Sequence, residues 1–102
     1  MILVPGQVNN YTPLAPTITK VRVHYDVGYG NNMYIRGNSY PFWWDKGRKM
    51  RNISSDVWEY EMERIPSGVT VEFKPLINDT TWSTGNNFTV TGGQTLDIYP
   101  NF

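Results

Sequence analysis

One tryptophan in a polar loop is the first feature of this sequence that suits ligand binding. Trp82 follows the turn Asn-Asp-Thr-Thr at residues 78–81 and precedes Ser-Thr-Gly-Asn-Asn at residues 83–87. So polar a setting predicts that the Trp82 ring lies largely in water and not in a core. A flat apolar ring among amide and hydroxyl groups suits a sugar, whose ring has apolar C–H faces and a hydroxyl edge. The competing interpretation is that Trp82 anchors the loop on the end of the fold.

The strand that has to position this loop is predicted at residues 69–74. Val69, Val71 and Phe73 alternate with polar residues there, which is the period of a strand with one buried face. Pro75 follows directly. Because proline has no N–H to donate, we expect the hydrogen-bond ladder to break or bulge at that position.

The rest of the chain predicts an all-β fold. Short alternating segments are separated by turns rich in Gly, Asn and Pro, and no amphipathic helix is evident. In residues 57–64, Trp58 is expected in the core, whereas Glu59, Glu61 and Glu63 are expected on the solvent face. We therefore predict an antiparallel β-sandwich of the immunoglobulin-like kind with about seven short strands. Besides residues 69–74, the predicted strands include residues 18–25, 33–36, 57–64, 88–91 and 95–99.

Length and composition limit the classes of function. The 102 residues suffice for one domain, predicted at 18–102, and the uncharged, proline-containing residues 1–17 indicate a linker or extended arm. Nine basic and nine acidic residues give a net charge of zero, which removes the electrostatic argument for nucleic-acid or anionic-membrane partners. No membrane span or signal peptide is evident, so the sequence does not indicate a location. The 15% aromatic content fits a recognition surface as well as an aromatic core.

Five short motifs, in order, resemble the starch-binding domains of carbohydrate-binding module family 20. They are YGNNMYIRGN at 29–38, WD at 44–45, DVW at 56–58, EFK at 72–74 and WSTGNN at 82–87. The likeness extends over residues 18–99, and the loop TWSTGNNFTV is also similar to starch-binding families 25 and 53. This resemblance implies a non-catalytic β-sandwich that binds starch, glycogen or maltooligosaccharides and is a module of a larger protein.

The resemblance also implies two sugar sites. The first corresponds to Trp44, Lys74, Trp82 and Asn87, and the second includes Tyr29. Two non-parallel indoles can hold consecutive glucoses of a curved α-glucan, while a cation and an amide contact the hydroxyls. The family's Leu-Gly before the first Trp is absent, so Trp43 is a second candidate for that platform; Asp45 favours Trp44.

Each of these residues has a structural alternative. Trp44 could pack in the core beside Trp43, Lys74 could be a solvated lysine, and Asn87 could serve only its own turn. Tyr29 lies in a Gly/Asn hairpin tip, where an aromatic side chain is often exposed without binding a ligand.

The sequence offers little for catalysis or metal binding. His24 is the single histidine, there is no cysteine, and neither a nucleophile signature nor metal-ligand spacing is evident. We therefore expect a protein that is not an enzyme and has no cofactor. A basic cluster follows the Trp pair and is either a solvated loop or a contact for phosphate groups on a glucan. It consists of Lys46, Arg48, Lys49 and Arg51.

These observations predict a non-catalytic module that binds α-glucans by aromatic stacking and polar contacts. The alternative, from a different class, is an immunoglobulin-like domain for protein interaction whose aromatic residues are structural. Exposure of the Trp82 ring distinguishes the two.

Overall fold

A computed structural model describes residues 18–102 of the protein. The arm or linker predicted at residues 1–17 lies outside the described residues. The described part contains nine strands and no helix. The strands are β1 (Ile18–His24), β2 (Met33–Gly37), β3 (Arg48–Lys49), β4 (Arg51–Ser54), β5 (Val57–Glu63), β6 (Thr70–Ile77), β7 (Thr81–Trp82), β8 (Phe88–Thr91) and β9 (Thr95–Ile98).

The strands form two sheets. One has the order β4-β5-β1-β9, and the other has the order β3-β2-β6-β7, with β8 also paired to β6. These pairings are antiparallel except that of β1 with β9, which is parallel. The predicted β-sandwich is thus confirmed. Of the additional strands, β3 and β7 have two residues each, too few for alternation to show in the sequence. The four residues of β4 are all exposed, so no apolar alternation marks that strand.

The core follows the alternation of the longer strands. Val21 and Val23 of β1, Ile35 of β2 and Phe73 of β6 are fully buried and belong to one cluster. The residues between them are more exposed, so each sheet presents one apolar face to the core. Trp58 of β5 is buried in the same cluster, as predicted.

Strand β6 is longer than predicted and continues through Pro75. Its register with β2 is unbroken, with Ile35 opposite Pro75, so the expected break or bulge is absent on that side. On the other edge of β6, residues 74 and 75 lie between the segments paired to β8 and β7, so the expected break in the ladder lies there. The carbonyl oxygen of Pro75 accepts from the Ser83 N–H at 3.0 Å, on the side of β6 away from β2. Since the N–H and C=O of one strand residue point to the same side, the Pro75 nitrogen faces the gap between β7 and β8. The reciprocal bond from residue 75 to Ser83 cannot form, so the ladder between β6 and β7 ends at this pair.

Strand β5 departs from the predicted pattern at Glu59. This residue is 5% exposed, so the expectation that it lies on the solvent face is wrong, whereas Glu61 and Glu63 are exposed as predicted. Arg22 donates from Nε to its carboxylate at 2.9 Å and Arg51 donates from Nη2 at 3.1 Å. The hydrogen bond from Arg22 lowers the pKa of Glu59 below its ordinary value, against the opposing effect of burial. Two arginines on neighbouring strands therefore make burial of this carboxylate possible.

Candidate functional site

The outer face of the five-stranded sheet collects most of the predicted site residues. Alternate residues of β6 from Val71 to Pro75 are buried, so Glu72 and Lys74 point outward. Opposite residues of an antiparallel pair share a face, and Arg36 of β2 is opposite Lys74. Trp82 of β7 is opposite the outward position two residues further along β6. Strand register alone therefore places a cation pair beside an indole.

Trp44 and Trp82 form an inclined pair at this face. Their ring centroids are 6.2 Å apart and their planes meet at 46°. Trp44 is 37% exposed and Trp82 is 42% exposed. Neither is a core residue, but the prediction that the Trp82 ring lies largely in water is wrong. Its strand pairing sets it beside the fully buried Leu76, and Arg36 lies over the ring with its Cζ 5.2 Å from the centroid.

Arg36 connects the two indoles and was not identified as a site residue from the sequence. Its Nη1 donates to the carbonyl oxygen of Trp44 at 3.0 Å while its guanidinium lies over Trp82. Its Nε and Nη2 donate to the carboxylate and the carbonyl of Asp79 at 2.9 and 3.0 Å. The sequence indicated only that Arg36 follows Ile35 in a strand. Since Ile35 is buried, Arg36 lies on the outer face of β2. Arg36 thus fixes the loop of one indole against the hairpin of the other.

The turn between β6 and β7 is held against the loop between β1 and β2. Asn78 and Asp79 adopt φ of 54° and 58°, conformations that these two residue types tolerate better than most. The Asn78 side chain accepts from the Asn32 N–H and donates to the Asn31 side chain, both at 2.9 Å. The predicted turn is confirmed for residues 78–80, whereas Thr81 belongs to β7.

Lys74 and Asn87 border the same face and contact different partners. The ammonium of Lys74 donates to the carbonyl oxygen of Gly85 at 2.6 Å. Asn87 donates from Nδ2 to the carboxylate of Glu72 at 3.2 Å. An ammonium has three donors and a side-chain amide has both donor and acceptor atoms, so each residue keeps polar groups for a ligand.

The loop at 83–87 is fixed at its base and exposed at its tip. Ser83 is buried and donates its N–H to Pro75, and the N–H of Thr84 donates to the carbonyl oxygen of Asn101 at 2.8 Å. Gly85 adopts a φ of 81°, which an L side chain would strain. The residues from Thr84 to Asn87 are exposed. A ligand on the indole pair could therefore reach an ordered polar rim.

Trp43 has surroundings different from those of Trp44. The guanidinium of Arg48 lies over the Trp43 ring, with its Cζ 4.8 Å from the ring centroid. Trp43 lines a groove with Tyr60, and neither Trp44 nor Trp82 lines that groove. Trp44 and not Trp43 is therefore the indole that meets Trp82.

Tyr29 lies apart from the indole pair. It is fully exposed and borders a groove of about 730 Å³ that Asn31, Asn52 and Trp58 also line. The indole Nε1 of Trp58 is buried and has no hydrogen-bond partner within residues 18–102. Tyr29 and several amide groups thus border one groove, and a second sugar site at Tyr29 stays a prediction.

The described residues contain neither a metal-binding cluster nor a membrane-spanning helix. No three or more His, Cys, Asp or Glu side chains of residues 18–102 are grouped so that they could hold a metal ion. The same residues contain no helix with the length and apolarity needed to cross a membrane.

Comparison with known proteins supports the fold. The chain is similar in structure to a glycoside hydrolase family 15 glucoamylase from Hypocrea jecorina, with a TM-score of 0.67 and 16% sequence identity. The match covers 90% of this chain and 19% of the glucoamylase. No protein-family model and no curated protein matches the sequence. At this identity the likeness establishes the architecture alone.

Proposed function

We propose that this chain is a non-catalytic carbohydrate-binding module that binds α-glucans, such as starch, glycogen and maltooligosaccharides, at Trp44 and Trp82. The observation that carries the proposal is the inclination of the two exposed indoles, 46° at a centroid separation of 6.2 Å. Coplanar rings would make a flat platform. Inclined rings can contact the apolar faces of consecutive glucose rings in a curved α-glucan.

Polar groups at the border of the indole pair suit the sugar hydroxyls. Lys74 supplies a cationic donor, and the exposed Asn87 supplies an amide acceptor. A hydroxyl both donates and accepts, so this combination satisfies it. Because the surface is shallow, one side of a bound glucan stays in water. We expect micromolar to millimolar dissociation constants, or about −4 to −8 kcal/mol.

Two further observations support the proposal. The structural neighbour is named as a glucoamylase of a glycoside hydrolase family, which favours a carbohydrate-related role. The chain spans only 19% of that protein, which fits a module of a larger protein. The protein-interaction alternative requires structural aromatic residues, and the exposure of Trp44 and Trp82 does not favour it.

Calorimetric titration tests the proposal. Maltoheptaose should bind, whereas cellohexaose, a straight β-glucan, should bind much more weakly because it cannot follow the inclined indoles. Trp44→Ala should raise the dissociation constant for maltoheptaose by about thirtyfold or more, as for a central aromatic anchor. The matched control is Tyr99→Ala, which removes an exposed aromatic residue after β9 in the other sheet.

Three outcomes would contradict the proposal. Failure of amylose, glycogen and β-cyclodextrin to bind at millimolar concentration would exclude the α-glucan ligand. Equal losses for Trp44→Ala and Tyr99→Ala would remove the special role of the indole pair. Release of reducing sugar from amylose would show that the chain is catalytic.

A further inference from the structure

A basic groove beside Trp43 takes no part in the proposed indole site. Its volume is about 680 Å³, within the range of small-molecule sites. The lining residues are Trp43, Asp45, Lys46, Gly47, Arg48, Lys49 and Tyr60. Three of these seven residues are cations and one is an acid, so the groove concentrates positive charge in a chain whose net charge is zero.

Arg48 is held in an orientation that suits an anion. Its Nε donates to the carbonyl oxygen of Pro41 at 2.9 Å, and its guanidinium carbon is 4.8 Å from the Trp43 ring centroid. The Trp43 ring covers one face of the guanidinium, and the Nε–H is used in the hydrogen bond to Pro41. Among the described residues neither Nη group has a partner, so the outer edge remains available. Two N–H groups along such an edge match two oxygens of a phosphate.

Lys46 and Lys49 add two exposed charges to the groove. Neither forms an ion pair within residues 18–102. Glu59 and Glu61, which line the neighbouring cavity, are already paired with other cations. Asp45 is the one carboxylate in the lining of the groove itself. The lysines are thus not neutralised by the carboxylates nearest to them.

Tyr60 is the second aromatic residue in the lining of the groove. It is partly buried, and its ring centroid is 5.2 Å from that of Phe42. Burial raises the pKa of the Tyr60 hydroxyl. A phenol with the ordinary pKa of about 10 is already protonated at neutral pH, so this group can donate a hydrogen bond.

The groove and the indole pair are held together by one anchored loop. Trp43 and Trp44 are consecutive, so their Cα atoms are about 3.8 Å apart. The carbonyl oxygen of Trp43 accepts from the Gly37 N–H at 3.2 Å, and that of Trp44 accepts from Arg36 at 3.0 Å. Two hydrogen bonds therefore anchor the loop that carries Trp44 of the indole pair and Trp43 of the basic groove.

We infer that this groove binds a phosphate monoester carried by an α-glucan. The inference rests on the proposed function, because unmodified glucose units lie on Trp44 and Trp82 while the phosphate of a neighbouring unit enters the groove. A phosphate monoester has a charge of about −1.5 to −2 at neutral pH, which complements the local positive charge. Arg48 contacts two of its oxygens, and Lys46 and Lys49 act as point charges beside it.

Titrations of the full chain with two matched ligands test the inference. One is maltoheptaose carrying a glucose 6-phosphate unit, and the other is the same oligosaccharide after phosphatase treatment. At low salt the phosphorylated ligand should bind about tenfold more tightly or better, and high salt should reduce the difference because exposed charges are screened. Lys46→Ala with Lys49→Ala should markedly reduce the difference, with the remainder due to Arg48, and should leave the affinity for the dephosphorylated ligand unchanged.

The matched control is Arg64→Asn, which removes one cation that does not line the groove. Arg64 has a φ of 64°, which asparagine tolerates, so the control should fold and keep the preference for phosphate. A thermal melt of each variant verifies folding; both groove lysines are exposed, so their removal should not shift the midpoint appreciably.

The outcomes separate failure of this inference from failure of the proposed function. Equal affinity of the unmodified protein for the two oligosaccharides would overturn the inference and leave the α-glucan site intact. Binding of neither ligand would refute the proposed function and the inference with it. Competition by free glucose 6-phosphate as strong as by the phosphorylated chain, or equally tight binding of polyglutamate, would overturn the assignment to a phosphorylated glucan.

Discussion

Replacement of Trp82 by alanine tests the packing of the site and its binding role at once. Trp82 is 42% exposed, so a little more than half of its surface is covered by its neighbours. For an indole side chain of about 200–250 Å², some 130 Å² is covered, which at about 25 cal/mol per Å² gives about 3 kcal/mol. Because the unfolded chain already covers part of that surface, we expect the free energy of unfolding to fall by about 2 kcal/mol.

The expected loss of stability differs from the loss for a fully exposed Trp82 and from that for a fully buried one. A ring largely in water would cost less than about 1 kcal/mol on truncation, and a fully buried Trp would cost about 3–5 kcal/mol. Glucan binding should fall as well, with a rise of about thirtyfold or more in the dissociation constant, equivalent to about 2 kcal/mol. The loss arises because Trp44 alone offers a single flat face without the 46° inclination.

A denaturant melt and a maltoheptaose titration on the same variant provide the measurement. Trp82→Phe is the control. Because it keeps an aromatic ring, it should lose less stability and less affinity for maltoheptaose than Trp82→Ala. An unchanged dissociation constant in a folded Trp82→Ala protein would refute the reasoning, because Trp82 would then be a structural residue only. A loss of stability below about 1 kcal/mol would refute the packing estimate.

Three further predictions follow from individual contacts. The hydrogen bond from Arg22 lowers the pKa of Glu59 in the folded protein, so the ionised Glu59 stabilises the fold. This contribution to the free energy of unfolding is fully present above the unfolded-state pKa of about 4.3 and is lost as the pH falls through the lower folded-state pKa. Glu59→Gln should flatten that part of a pH–stability curve and cost about 1–3 kcal/mol at neutral pH; parallel curves for the two proteins would contradict this. Gly47→Ala would place a Cβ against the Asp79 carboxylate, so maltoheptaose affinity should fall as the loop shifts, and unaltered affinity would show that the loop adapts freely. Tyr29→Ala should change stability by less than about 0.5 kcal/mol, since the side chain is fully exposed, yet reduce adsorption to insoluble starch if a second site exists there; undiminished adsorption would remove Tyr29 from the binding surface.

Much of the fold and part of the candidate site could be predicted from local patterns. Alternation along β1, β5 and β6 identified buried faces, because a strand with one face in the core needs an apolar residue at every second position. The polar turn at residues 78–80 was predictable because Asn and Asp tolerate positive φ. Strands β3 and β7, with two residues each, could not be predicted, since their existence depends on pairing with β2 and β6.

The sequence by itself therefore determined a small all-β domain with zero net charge, no cysteine and an aromatic residue in a polar loop. Which of Trp43 and Trp44 meets Trp82 was decided only by the tertiary structure, because consecutive residues of an irregular loop have no period that fixes their directions. The role of Arg36 and the burial of Glu59 were decided in the same way. Their partners come from distant parts of the chain, and a charge is stabilised by whatever the fold brings within hydrogen-bond distance, which no local pattern records.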